Sequence, residues 1–270
     1  AFHPWGRHMP PSNTVVTNPD MASRGFLAGP VEALRYDNDS LDPLETAGII
    51  TGWIPTGARV LDVGCGTGAL SCLFRDHRQA RIVGIEPNEI RAENARSRGL
   101  EVYTGVLESG LRGQLGDFDI AVFADVLEHV ADPFELLSRA ADFLKPGGQV
   151  LISVPNVAHW TVRLNLLRGR FNYAGHGIMD ATHLRWFTSK TICGLCQSVG
   201  LAVEEWTVSA GLWLPEYRYN KPWKWFRTER VNWMVLRART RWPSLFGCQL
   251  LVRARKSDTA APAAPQPGVW

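Results

Sequence analysis

The chain has 270 residues, of which 45% are hydrophobic and 20% charged, enough to bury one good core with a small appended subdomain. A net charge of only +3 excludes a general attraction to polyanions, although the basic residues are unevenly placed. Five cysteines, at 65, 72, 193, 196 and 248, are odd in number and lack a disulfide-framework spacing, which points to a reducing, cytoplasmic compartment.

Residues 1–8 read as a cloning remnant, with His8-Met9 at the junction. Residues 9–32 are polar and proline-punctuated, a flexible arm, and residues 257–270, rich in Ala and Pro, read as a disordered tail. The stretch 33–256 between them reads as one domain. Near its start, Ser40 or Asp42 is placed to cap a helix carrying Leu44, Ile49 and Ile50. The run Val60-Leu61-Asp62-Val63-Gly64-Cys65-Gly66-Thr67-Gly68 then reads as a buried strand entering a glycine-rich turn, with a helix opening at Ala69. Dinucleotide sites space their glycines G-x-G-x-x-G and aim a helix N-terminus at a diphosphate. Here the pattern is Asp62-x-Gly64-x-Gly66-x-Gly68, and a carboxylate at its head suits a cationic amino-acid ligand better.

The next strand, 81–85, ends on Glu86-Pro87, where an acid can accept both hydroxyls of a ribose. A charged helix over 88–98 and a strand at Glu101-Val102-Tyr103 follow. Phe118 to Phe123 is a fourth strand, running into Ala124-Asp125-Val126-Leu127-Glu128-His129 and an amphipathic helix through Leu136, Leu137, Ala140 and Phe143. Lys145-Pro146-Gly147-Gly148 predicts a turn, and Gln149 to Pro155 a fifth strand. Alternating strands and helices imply parallel pairing by right-handed crossovers.

Residues 157–187 are not sheet-like and carry Trp160, Arg163, Arg168, Arg170, Phe171 and Tyr173 before Asp180-Ala181-Thr182-His183-Leu184-Arg185-Trp186-Phe187. This is where a substrate-recognition insertion would sit. Thr188 or Ser189 caps a helix over Ile192, Leu195 and Val199; Cys193 and Cys196 read as buried thiols of that helix. A strand at 201–208 follows, and 245–255 alternates as a last, antiparallel strand. Between them, 222–242 interleaves Lys224, Arg227, Arg230, Arg237, Arg239 and Arg241 with Trp223, Trp225, Phe226 and Trp233. Such a helix presents either a solvated basic face or a contact for an anionic membrane surface. No run of apolar residues is long enough to span a bilayer as a helix.

Taken together, the glycine turn with Asp62, the acid Glu86 and the run Leu144-Lys145-Pro146-Gly147-Gly148-Gln149-Val150-Leu151 resemble the class I S-adenosylmethionine (SAM)-dependent methyltransferases over roughly residues 33–255. The resemblance implies a Rossmann-like, doubly wound α/β sheet of seven strands with an antiparallel last strand, the 157–187 insertion covering the active site. It implies SAM as cofactor, bound by Tyr36, Asp62, Gly64, Cys65, Gly66, Gly68, Glu86, Pro87, Ala124 and Asp125. Gly105-Val106-Leu107-Glu108 departs from the family, which places an acid there for the adenine amine.

Asp125-x-x-Glu128-His129 also resembles the Glu-x-x-Glu-His of two metal-using groups, the ubiquinone-biosynthesis O-methyltransferases and the small-RNA 2′-O-methyltransferases, in which a second His follows strand five at the position of His183. If the chain turns helical after strand four, Asp125, Glu128 and His129 project from one side. Asp125, Glu128, His129 and His183 are therefore the candidate ligands of Mg or another divalent ion, and His129, His183 and Asp125 the candidate catalytic groups. Glu128-His129 bracing the next helix, with a His as metal-free base, is the competing expectation. Gly169-Arg170-Phe171-Asn172-Tyr173 followed by Asp180-x-Thr182-His183-Leu184-Arg185 resembles bacterial methyltransferases of glycan and natural-product pathways, which implies O-methylation of a small-molecule hydroxyl on a sugar, glycolipid or phenol. Metal-independent N- or carboxyl-methylation, an inactive SAM-binding scaffold and an NAD-dependent oxidoreductase stay open. Nucleic acid is disfavoured as a partner by the modest charge, and oligomeric state is open.

Overall fold

The computed structural model describes residues 41–212 and 228–257. Tyr36, the 9–32 arm, residues 1–8, the end of the tail and the 222–227 part of the basic aromatic stretch lie outside the described residues.

Seven strands, β1 (Arg59–Val63), β2 (Arg81–Glu86), β3 (Glu101–Thr104), β4 (Phe118–Ala124), β5 (Leu144–Pro155), β6 (Leu201–Val208) and β7 (Gln249–Lys256), form one sheet in the order β3-β2-β1-β4-β5-β7-β6. Neighbours from β3 to β5 pair parallel, and β7 runs antiparallel to both β5 and β6. The chain reverses its winding between β1 and β4, and a ligand crevice opens outside the carboxyl ends of strands at such a point.

Helices cover both faces. Leu61, Val63, Val83 and Ile85 point into one apolar cluster with α5 (Pro133–Asp142) and α7 (Ser189–Ser198), through Leu137, Ala140, Ile192 and Leu195. Val60, Ile82, Ile120 and Val122 point into the other, against α1 (Thr46–Trp53), α2 (Ala69–Arg78) and α3 (Glu89–Ser97) through Ile50, Phe74, Ala92 and Ala95. Alternation along fully covered strands sends successive side chains to opposite clusters, which is why the strands read as continuous apolar runs. The short α4 (Arg112–Leu115) precedes β4, α6 (Trp160–Leu167) begins the insertion, and α8 (Thr228–Arg241) and α9 (Pro243–Phe246) lead into β7.

Local chemistry sets several boundaries. Thr188 caps α7 with a capping box, its side chain accepting from Thr191 N while the Thr191 side chain accepts from Thr188 N. The start of α1 differs from expectation: Asp42 Oδ1 accepts from Leu44 N at 2.9 Å, and the helix begins only at Thr46. Asp42 closes a turn on Leu44 N instead, and Glu45 stands at the head of the helix without a side-chain cap. The predicted turn at Lys145–Gly148 is drawn into β5 as a bulge. Phe118 pairs with Leu144, the next registered pair is Ile120 with Gln149, and Gly147 takes φ 70°.

Candidate functional site

β1 delivers Asp62 and then turns through Gly64, Gly66 and Gly68, at φ 74°, 57° and 79°. Two of these glycines serve packing. A Cβ on Gly64 would meet Val126 Cγ2 at 2.7 Å, and one on Gly68 would run into Leu100 and lie 3.0 Å from Ala95 Cβ. Gly66 has no atom within 4 Å of that position, so the turn offers bare backbone to open space, where a ligand can lie against it.

Glu86, buried at the end of β2, spans this turn: Oε2 accepts from Gly66 N and Oε1 from Asn88 N, both at 2.9 Å. Each carboxylate oxygen has a second lone pair, the capacity a ribose diol requires. Pro87 lies between Glu86 and Asn88, the side-chain cap of α3. Asp62 is buried behind the turn and accepts from Ser71 Oγ at 2.5 Å. Burial pushes its carboxyl up to about 6; the Ser71 bond opposes the rise and the Glu86 charge adds to it. Burial likewise pushes the Cys65 thiol up, leaving it a packing group against Gly84.

Ala124 ends β4, and Asp125 follows at φ 55°, a left-handed conformation that Asp tolerates better than most residues. Its backbone N donates to Ser153 O, Ser153 Oγ donates to Oδ1 at 3.0 Å, and Gln249 Nε2 donates to both carboxylate oxygens at 2.9 and 2.8 Å. Thr46 Oγ1 donates to Gln249 Oε1. Asp125 was expected to share a helical face with Glu128 and His129. The strand instead exits through the left-handed residue into a 3-10 turn, Leu127–His129, and β5 and β7 claim the Asp125 carboxylate.

Glu128, His129 and His183 do come together, with one potential ligand atom from each lying within 4.8 Å of the others. The insertion is fastened to the 3-10 turn by main chain: Leu184 N and Arg185 N both donate to Glu128 O, at 2.7 and 3.0 Å. That clamp sets the His129 and His183 rings edge to face, centroids 4.9 Å apart. Each imidazole meets a backbone carbonyl through Nδ1, His129 with Thr182 O at 3.3 Å and His183 with Ile178 O at 3.2 Å. A carbonyl only accepts, so Nδ1 carries the proton and Nε2 is the basic nitrogen, the arrangement typical of ligating histidines. Glu128 is 1% exposed, and neither carboxylate oxygen has a hydrogen-bond partner among the described residues. Burial, with Asp125 and Asp180 nearby, holds this carboxyl well above the usual range. A buried carboxylate left without donors beside two imidazoles fits a divalent cation, which would satisfy all three.

Sequence reasoning missed Gln249, Ser153 and Thr46, and also Asp180, whose Oδ1 accepts from Thr182 N and Oγ1 and so shapes the loop carrying His183. The insertion that it read as substrate-recognising carries Arg163 and Arg185. The structure spends part of both on main chain: Arg163 Nε donates to Ala158 O, and Arg185 donates to Ala131 O and Leu184 O. His159 is fully buried ahead of α6, with Nδ1 2.8 Å from Thr161 Oγ1, and burial lowers its pKa to about 4. The unfolded chain, with a pKa near 6.5, binds this proton first. Stability from this group is therefore full above about pH 6.5 and is lost as pH falls toward 4, by about 3 kcal/mol. Denaturant midpoints at neutral and acid pH check this: His159→Gln should lose much of the acid sensitivity of the wild type, and an unchanged profile would contradict the assignment.

Comparisons with known proteins agree with this architecture. A methyltransferase-domain family model matches residues 39–205. A ubiquinone biosynthesis O-methyltransferase of Xanthomonas axonopodis pv. citri is 34% identical over 122 residues, 43% of this chain and 51% of that relative. One from Xylella fastidiosa is 39% identical over 108 residues, 37% of this chain and 43% of the relative. The chain thus spans about half the length of the curated relatives it matches. Among solved structures, a SAM-dependent methyltransferase from Thermotoga maritima superposes with a TM-score of 0.53 at 18% identity, covering 88% of this chain and 96% of that one. Another from Aquifex aeolicus gives 0.54 at 13% identity, covering 86% and 100%. These two likenesses establish the fold.

Proposed function

The chain belongs to the methyltransferase-domain family, and from that premise we propose that it transfers the methyl group of SAM to a hydroxyl of a small molecule held above Glu128, His129 and His183. The observation that carries this reading is the buried, donorless Glu128 carboxylate facing two imidazoles whose Nδ1 atoms are tied to main-chain carbonyls. The bare backbone at Gly66 and the Glu86 carboxylate across it support SAM as the cofactor, ribose on Glu86 and the amino-acid end toward Asp62. SAM is cationic and becomes neutral as it gives up its methyl, so alignment of the acceptor oxygen with the sulfonium supplies much of the acceleration.

The oxygen must also lose its proton. A divalent ion held by Glu128, His129 and His183 would lower the pKa of a hydroxyl bound there. With no ion held there, the Nε2 atoms of His129 and His183 are the basic positions, and Asp125, fixed by Gln249 and Ser153, is near enough for its charge to act on Glu128 and His129. Phe171, Tyr173 and Trp186 make an aromatic cluster with ring centroids 5.6 to 6.2 Å apart, and Trp186 lies three residues after His183. It offers an apolar rest for a ring, so phenols join sugars among the acceptors to be tried.

The relatives named as ubiquinone biosynthesis O-methyltransferases favour oxygen over nitrogen as the acceptor atom. Calorimetric titration of SAM before and after chelator, with elemental analysis of the protein, tests the reading. One divalent ion per chain, and methylation of a catechol or vicinal diol that stops on chelation, is the expected result. SAM binding with no ion and chelator-insensitive transfer would move the chemistry to a histidine base.

A further inference from the structure

We propose that the outer face of α8 docks on an anionic lipid surface. On a helix of 3.6 residues per turn, Arg230, Trp233, Arg237 and Arg241 fall within an arc of about 80°. All four are exposed, Trp233 at 60%, and Trp242 beyond the helix end is 54% exposed. Val235 and Arg239 lie on the opposite side: Val235 is 2% exposed, and the half-buried Arg239 guanidinium donates to Leu44 O. The helix is therefore seated by its inner face, and its outer face is left to solvent.

That outer face has one composition throughout. Arg237 lies over the Trp233 ring, 5.1 Å from its centroid, and Arg241 over Trp242 at 5.5 Å. Glu229, at the first turn, is the only acid in the helix, against Arg230, Arg237, Arg239 and Arg241. An exposed tryptophan costs free energy in water, and its amphipathic ring favours the headgroup level of a bilayer. Arginines alongside match anionic headgroups, and both signals are needed for useful membrane affinity. No helix among the described residues is long and apolar enough to cross a membrane, so the contact is peripheral. Val235 packs with Cys248, just before β7, and with Trp160 at the start of the insertion helix α6. The lipid-facing stripe is thus built onto the carboxyl end of β5, the end of the sheet where the candidate site opens.

Cosedimentation of the full chain with vesicles tests this, using phosphatidylcholine alone and phosphatidylcholine mixed with phosphatidylglycerol. Binding to the anionic vesicles only, weakened by salt, is expected. Each arginine near such a surface is worth about a fivefold change in partitioning, so Arg237→Gln with Arg241→Gln should weaken it about 25-fold. Trp233→Ala should weaken it at both low and high salt, because its contribution is not screened. Arg112→Gln, a charge loss on α4, should change partitioning by less than about twofold. Absence of binding to anionic vesicles, or an equal loss with Arg112→Gln, would overturn the proposal. So would binding of a single-stranded oligonucleotide in place of vesicles, which would make the stripe a nucleic-acid contact.

Discussion

A Glu128→Met variant, compared with the wild type in chelator, is expected to unfold at higher temperature while its methyl transfer falls at least a hundredfold. Nothing among the described residues donates to the Glu128 carboxylate, although it is 1% exposed. A buried polar group without partners costs about 1–3 kcal/mol, and an apolar side chain of similar length removes that cost. In a domain of this size the gain corresponds to about 2–10 °C in melting temperature. Activity moves the other way, since the two imidazoles alone make a poorer cation site than with the carboxylate between them. Elemental analysis should show the ion lost. Thermal melts with and without added divalent ion complete the comparison: the ion should raise the wild-type melting temperature and leave the variant unmoved. A variant that melts lower than the chelated wild type would mean that the carboxylate serves the fold. A variant that keeps both ion and activity would remove Glu128 from the site.

What the sequence revealed and what it hid follow from the range of the interactions. The glycine turn, the Thr188 cap and the strand alternation are local: each depends on residues a few positions apart, and each was readable. Glu128 and His129 were readable from their place after the fourth strand, and His183 only through resemblance. Physically they meet because two main-chain donors, at 184 and 185, close on Glu128 O across more than fifty intervening residues. Gln249 carried no signal at all. It is the first residue of a strand whose antiparallel insertion between β5 and β6 sets it against Asp125, and only the assembled sheet shows that. Asp125 itself was misplaced because a helical spacing was assumed where the backbone takes a left-handed step. The glycines held a subtler ambiguity. Gly64 and Gly68 are required by packing, and Gly66 alone faces open space, though the three look alike in the motif.

Asp62 shows the same opposition between stability and function as Glu128, and pH makes it measurable. Burial raises its carboxyl from 3.8 to about 6 in the folded chain, so the folded state holds this proton more tightly than the unfolded one. Keeping the group ionised at neutral pH costs about 3 kcal/mol, and that cost is relieved as pH falls through 6 toward 4. In the proposed binding mode the ammonium of SAM lies toward Asp62 and reverses the balance, because it favours the ionised form. Binding then requires the carboxylate, and below pH 6 each molecule of SAM bound expels one proton. Affinity should be flat from about pH 6.5 to 7.5 and weaken by up to about tenfold per unit below 6, with proton release detectable in buffers of different ionisation enthalpy. Above about pH 8 it should weaken again as the α-amino group of SAM loses its own proton. Asp62→Asn should abolish the acid limb, bind SAM about 10- to 100-fold more weakly at neutral pH, and melt higher than the wild type there. An acid limb that survives the substitution would assign the titration elsewhere. Unaltered affinity at neutral pH would mean that the ammonium lies away from Asp62 and that this carboxylate shapes the turn alone.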